Sequence, residues 1–124
     1  MANITRGEVE IVLGQTHYVL IPDFKAICSI EAELDKGVIE LIQKCQMMTL
    51  KFSEASVILK HAMSAAGNDM ELKEIGDLII NEGLDKLVTS LLLYLGFYLV
   101  GPESKEKNPP GQPGQLTALT GDPT

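Results

Sequence analysis

His17 and His61, Cys28 and Cys45, and two carboxylate groupings at Glu31, Glu33, Asp35 and at Asp69, Glu71, Glu74 are the side chains here that could bind a metal or move protons. Metal ligation asks for compact spacing such as C-x-x-C or H-x-x-x-H, and the two His and two Cys do not have it. His17 falls in a strand pattern and His61 in a helical one. Cys28 and Cys45 fall in apolar helical stripes, where a free thiol acts as a small hydrophobe. Acid–base catalysis needs a carboxylate held beside its reacting partner. The first acidic grouping ends a helix and the second opens one, so both read as solvated helix ends, the second also favoured by the helix dipole. No nucleophile elbow, phosphate loop or dinucleotide fingerprint occurs. The expectation is a protein without catalytic, metal-binding or cofactor-binding residues, one that is not an enzyme and works by contact.

Composition narrows the partners. The chain has 124 residues, 45% of them hydrophobic, which suits one globular core. Seventeen acidic against ten basic side chains give a net charge of −7, which repels phosphate backbones, so nucleic acid is not an expected partner. No basic segment followed by an apolar one stands near Met1, so the cytoplasm is the expected compartment and the thiols are expected to be reduced. The longest apolar stretch, Leu87 to Val100, is shorter than the roughly 20 residues a bilayer-spanning helix needs, and no membrane role is expected.

The elements that would position these groups begin with a hairpin. Glu8 to Leu13 alternates apolar and polar residues, and Gly14-Gln15 then offers a two-residue loop of type II′. That loop sets Leu13 opposite Thr16, Ile11 opposite Tyr18 and Val9 opposite Leu20 as the apolar face. Pro22 ends the second strand and Asp23 is placed to cap a helix. Helix one carries Phe24, Ile27, Cys28 and Leu34 and closes at Lys36-Gly37. Helix two runs from Val38 to about Met47 on Leu41, Ile42 and Cys45. Ser53 opens a third, with Ala55, Ile58, Leu59 and Ala62 as its stripe and an end near Gly67. Asn68 or Asp69 opens a fourth, on Leu72, Ile75, Gly76 and Ile79, closed by Gly83. Met47, Met48, Met63 and Met70 suit irregular core filling or an adaptable binding surface, with core filling the stronger expectation.

Helix five, from Leu84 to Val100, has one apolar face of Leu84, Leu87, Val88, Leu91, Leu92, Leu95 and Leu99. Leu93, Tyr94, Phe97, Tyr98 and Val100 carry apolar character round most of its circumference, so cover is expected on all sides. In a chain this short, about a third of the unfolded surface stays exposed after folding. Leu93, Tyr94, Phe97, Tyr98 and Val100 are therefore the expected partner-binding residues, for a client or for a second copy. From Gly101 to Thr124 the chain holds five of its six prolines and no aromatic residue. Such a segment cannot offset about 1 to 2 kcal/mol of backbone entropy per ordered residue and is expected to be disordered. The fold class is α+β, an N-terminal two-stranded hairpin packed on about five short helices over residues 1–100, with a disordered C-terminal tail over 101–124.

The hairpin in the form VEIVLGQTHYVLIPDFKAICSIE, the Leu-Lys-Phe-Ser helix start, the Ala-Ala-Gly break and the acidic helix ending in Asn-Glu-Gly-Leu together resemble a known family. They are similar to the small tail assembly chaperones of tailed phages, in the branch also found in gene transfer agents. Pro22, Phe24, Ile30 and Glu31 carry the strand-to-helix part of the pattern, and the likeness covers about residues 4 to 100. Ile21 departs from the basic residue that relatives often place before the proline, and the 101–124 tail lies outside the shared pattern. The resemblance implies a non-catalytic assembly factor of the host-cell cytoplasm, absent from the mature particle. Its implied partners are the tape measure protein, which it would bind and solubilise, and the major tail tube protein, which it would help recruit. The alternative is a structural tail or tail-completion protein retained in the particle.

Overall fold

The computed structural model describes residues 7–101. The expected tail, apart from Gly101, lies outside the described residues. Strand β1 (Val9–Leu13) pairs antiparallel with β2 (Thr16–Leu20) in the expected register, Val9 with Leu20 through Leu13 with Thr16. Of the two loop residues only Gly14 has positive φ (67°), as a type II′ turn requires. Its N–H, which the ladder leaves unpaired, donates to Glu82 Oε2 at 3.1 Å.

Five helices follow: α1 (Phe24–Leu34), α2 (Val38–Gln46), α3 (Phe52–Ala65), α4 (Leu72–Glu82) and α5 (Leu84–Val100). Asp23 caps α1 as expected, its Oδ1 accepting from Ala26 N–H at 2.7 Å. The next caps differ from the sequence reading. Helix α1 ends on Asp35 in the left-handed region, and Gly37 instead opens α2, whose Val38 N–H donates to Glu31 Oε2 at 2.9 Å. Helix α3 opens at Lys51, not Ser53, and α4 at Glu71, not Asn68 or Asp69. Each uses the glutamate three residues on: Glu54 accepts from Lys51 N–H at 2.8 Å and Glu74 from Glu71 N–H at 3.1 Å. Asn68 and Asp69 lie instead in the turn that closes α3, where Asn68 N–H donates to Met63 C=O and Asp69 accepts from Ser64 Oγ.

The centre of the fold is α3, which packs against α1, α4, α5 and β2, while α2 lies along α5. Glu54 to Leu59 are buried without a break, because small Ala55, Ser56 and Ala62 let neighbours close on several sides. Ser56 Oγ donates to Phe52 C=O at 3.0 Å, which satisfies a buried hydroxyl within the helix. Ile11, Leu13 and Leu20 of the hairpin join Ile30, Leu41, Ile58, Ile75 and Leu91 in one core.

Three apolar expectations are corrected. Phe24 and Cys28 face solvent, since α1 buries Ala26, Ile27 and Ile30 and these two lie off that arc. Met47 and Met48 are exposed at the α2–α3 turn, whereas Met63 is buried. Helix α5 is not covered on all sides: its elements of contact lie on one side, and the C-terminal half keeps an open one. No single helix among the described residues is long and apolar enough to cross a membrane; α4 and α5 together would pass by length and composition, but they meet at 117°.

Candidate functional site

The chemistry-bearing side chains are dispersed into structural tasks. Glu31 caps α2, Glu74 caps α4, and Asp35 ends α1 with φ 55°. His17 Nδ1 meets Glu10 Oε2 at 2.8 Å across the outer face of the hairpin. His61 Nε2 meets Glu33 Oε1 at 2.8 Å, beside an open polar depression of about 220 Å³ lined by Asp23, Lys25, Ser29, His61 and Ser64. Glu33 is outside that lining, and Ser64 Oγ is already donated to Asp69 at 2.6 Å. Among the described residues no group of three His, Cys, Asp or Glu could hold a metal ion.

One buried charge stands out. Glu54 is 3% exposed, with Lys36 Nζ 3.2 Å from Oε2 and Lys44 Nζ 3.9 Å from Oε1. Lys36 makes an ion pair there without hydrogen-bond alignment, so Oε2 lacks a directed donor. Burial alone would raise the carboxyl pKa, but the Lys51 N–H and the two ammonium groups outweigh it and hold it below the ordinary value. The cluster ties the α1–α2 joint and α2 to the start of α3. Nearby Cys45 is buried, and burial with the Glu54 charge behind it pushes the thiol up to about 11, so it stays protonated.

The five partner-binding residues expected on α5 divide into three groups. Tyr94 is fully buried, which corrects its assignment to a surface: the ring is core. Its hydroxyl donates to the Tyr98 hydroxyl oxygen (Oη) at 2.8 Å, with Ile21 C=O 3.3 Å away as the alternative acceptor, and the Tyr98 hydroxyl donates onward to Asp23 C=O at 3.0 Å. The rings meet edge to face, centroids 5.4 Å apart. Burial is the first reason that Tyr94 is pushed far up and Tyr98 up to about 12, and both stay neutral donors. The pair therefore clips the last turns of α5 to the joint around Pro22, whose carbonyl neighbours no strand claims.

Phe97 is half-covered, lying against the backbone of Gly7, where a Cβ would collide with its ring. Leu93 and Val100 are open, at 63% and 57% exposed. Leu93, Gly96, Phe97 and Val100 follow at i, i+3, i+4 and i+7, so they form one stripe. A Cβ at Gly96 would meet nothing within 4 Å, which leaves a flat notch in the stripe, and Leu99 is exposed on its flank. Phe24 was missed as a surface residue. It is 81% exposed and follows Asp23, the residue whose carbonyl receives Tyr98. Its place in the first turn, before the buried Ala26-Ile27 pair, was the available signal.

An apolar stripe on one helix, with tyrosines anchoring that helix, can seat another protein surface. Comparison with known families says which class of protein. Residues 6–96 match the family described as phage tail tube protein, GTA-gp10. The chain belongs to that family. It is thus a protein of phage or gene-transfer-agent tails, and the match takes in the hairpin, α1 to α4 and α5 as far as Gly96. The family description speaks of the tail tube, so the chaperone role implied by the resemblance is narrower than what the match carries. Neither a curated protein nor a solved structure matches this tail protein.

Proposed function

We propose that the chain is a non-catalytic structural protein of the tail, bound to the tail tube and retained in the particle, which engages its neighbours through the open stripe of α5. The supporting observation is that a member of a tail tube family leaves Leu93, Leu99 and Val100 exposed at the end of an otherwise anchored helix. Exposed contiguous apolar side chains of this kind mark protein-binding surfaces. Quantitative mass spectrometry of purified particles tests it. A constant copy number per tail, near that of other tail subunits, is expected; its absence from intact particles would end the structural reading.

A second reading, tail assembly chaperone, is favoured by the net charge of −7 beside the stripe. An apolar contact surface on a highly charged carrier can keep an aggregation-prone helical client in solution. In this reading the chain works in the host-cell cytoplasm, solubilises the tape measure protein, helps recruit the tail tube protein and leaves before the particle is complete. Co-expression discriminates: a soluble complex with the tape measure protein, together with absence from particles, selects the chaperone.

A further inference from the structure

Helix α2 is joined to the fold by two turns that share an uncommon backbone feature. Among the described residues the non-glycine positions with positive φ are Asp35 (55°), before α2, and Met48 (57°), after it. A side chain is disfavoured in that region, more for Met than for Asp, whose short polar group tolerates it. Departure of α2 releases both turns from that conformation.

The helix itself is lightly held. Leu41, Ile42 and Cys45 are its buried residues, and α5 is its only extensive packing partner among the described elements. Helix α1 also has one such partner, but the Tyr98 hydroxyl on α5 holds the Asp23 carbonyl at its start and His61 on α3 holds Glu33 near its end. Helix α2 has no side-chain cap of its own, and Val38 N–H borrows Glu31 from α1. Its tie to α3 is the buried Glu54. Lys44 stands 3.9 Å from Oε1, and Lys36, 3.2 Å from Oε2, leaves that oxygen without a directed donor. Water reaching the carboxylate would supply the missing bond, so opening relieves a cost that the closed state carries. A nine-residue helix does not persist in water without its partner, so α2 melts once undocked and its backbone entropy favours the open state.

We propose that α2 is a latch on α5: residues 36–47 open as one unit, hinged at Asp35 and Met48, while the hairpin, α1, α3, α4 and α5 stay folded. The packing of α3 on α1, α4, α5 and β2 does not pass through α2, so the remaining fold keeps its centre. Lys36 and Lys44 travel with the latch and Glu54 stays on α3, which makes the charge cluster its catch. Opening uncovers the side of α5 that Leu41, Ile42 and Cys45 cover, and the latch thereby sets how much apolar surface the protein shows. None of this depends on the tail role.

Cys45 reports the latch directly, since its thiol is 2% exposed on the inner face of α2 while Cys28 is open to solvent. The full wild-type chain is treated with iodoacetamide across sub-denaturing urea and the second alkylation followed by mass spectrometry, beside amide exchange by NMR. Cys28 should react first. Cys45 should then react at least about tenfold faster than the opening measured at the Ile58 and Leu59 amides of α3 allows, and with a shallower urea slope. The Ile42, Lys44 and Cys45 amides should report that same opening. Tyr94→Phe, which weakens the rest of the fold, should speed exchange at Ile58 and Leu59 and leave Cys45 alkylation within about twofold. Lys44→Met should speed Cys45 alkylation about two- to fivefold. Cys45 reacting only with the rate and slope of global unfolding, or accelerating in step with Ile58 in Tyr94→Phe, overturns the latch. Unchanged alkylation in Lys44→Met overturns the Glu54 cluster as its catch.

Discussion

Replacing Tyr94 separates what its ring does from what its hydroxyl does. The ring is fully buried between α5 and the rest of the core, so Tyr94→Ala deletes a large aromatic from a packed site and should cost about 3 to 5 kcal/mol. Tyr94→Phe keeps the ring. It removes the 2.8 Å bond to Tyr98 and the nearest side-chain donor to Ile21 C=O, while Tyr98 keeps its bond to Asp23 C=O. One lost bond with a half-buried carbonyl left short of a donor corresponds to about 1 to 2 kcal/mol. For a domain of this size that is a fall in Tm of very roughly 5 to 15 °C. Leu93→Ala, at 63% exposure on the same helix, should stay within about 0.5 kcal/mol of wild type. Urea unfolding followed by far-UV circular dichroism, with m checked for constancy, measures all three. Tyr94→Ala unfolding within about 0.5 kcal/mol of wild type would refute the burial of Tyr94. Equal losses at Leu93 and Tyr94 would refute the division of α5 into an anchored and an open side.

Other expectations follow from single sites. Met48 is exposed with φ 57°, a conformation that costs a non-glycine residue about 1 kcal/mol. Met48→Gly should therefore raise stability in the same urea assay by about 0.5 kcal/mol after the glycine's extra unfolded-state entropy. Gly7→Ala combines φ 79° with a Cβ that collides with Phe97, and should cost about 1 to 3 kcal/mol. The loss should be smaller in a Phe97→Ala background, which a double-mutant cycle reads directly. Glu54 is held below its ordinary value of 4.5, so its contribution is present above that pH and is lost as pH falls through the lower folded value. Glu54→Gln should flatten that acid limb of Tm against pH. Cys45 behaves oppositely: its contribution is intact below the ordinary 9.0 and is lost as pH rises from there toward about 11, a limb that Cys45→Ala should remove.

The hairpin could be read from sequence because its determinants are local. Period-two alternation and Gly14 fix strand, turn and register within thirteen residues, and Asp23 caps α1 from three residues away. What escaped depended on distant partners. Lys51, Glu54 and Ser56 look like an exposed helix start, yet Lys36 and Lys44 from other elements make burial of Glu54 tolerable and α3 becomes the centre. Helix α5 shows the converse. Apolar residues all round a helix do not say which side the fold will cover, and β1, α2, α3 and α4 decide it. Leu93 and Val100 were recognisable as candidates, but Tyr94 was indistinguishable from them until the carbonyls of Ile21 and Asp23 arrived from over seventy residues away.

The open stripe of α5 is where a tail partner should bind, and a double substitution tests it in assembly. Leu93→Gln with Val100→Gln keeps helix-compatible side chains of similar length at exposed positions, so Tm should hold within a few degrees. Supplied in place of the wild-type chain to particles otherwise lacking it, this variant should give few or no complete tails by electron microscopy. Wild-type numbers of complete tails, from a variant present at wild-type levels, would contradict a function carried by that stripe.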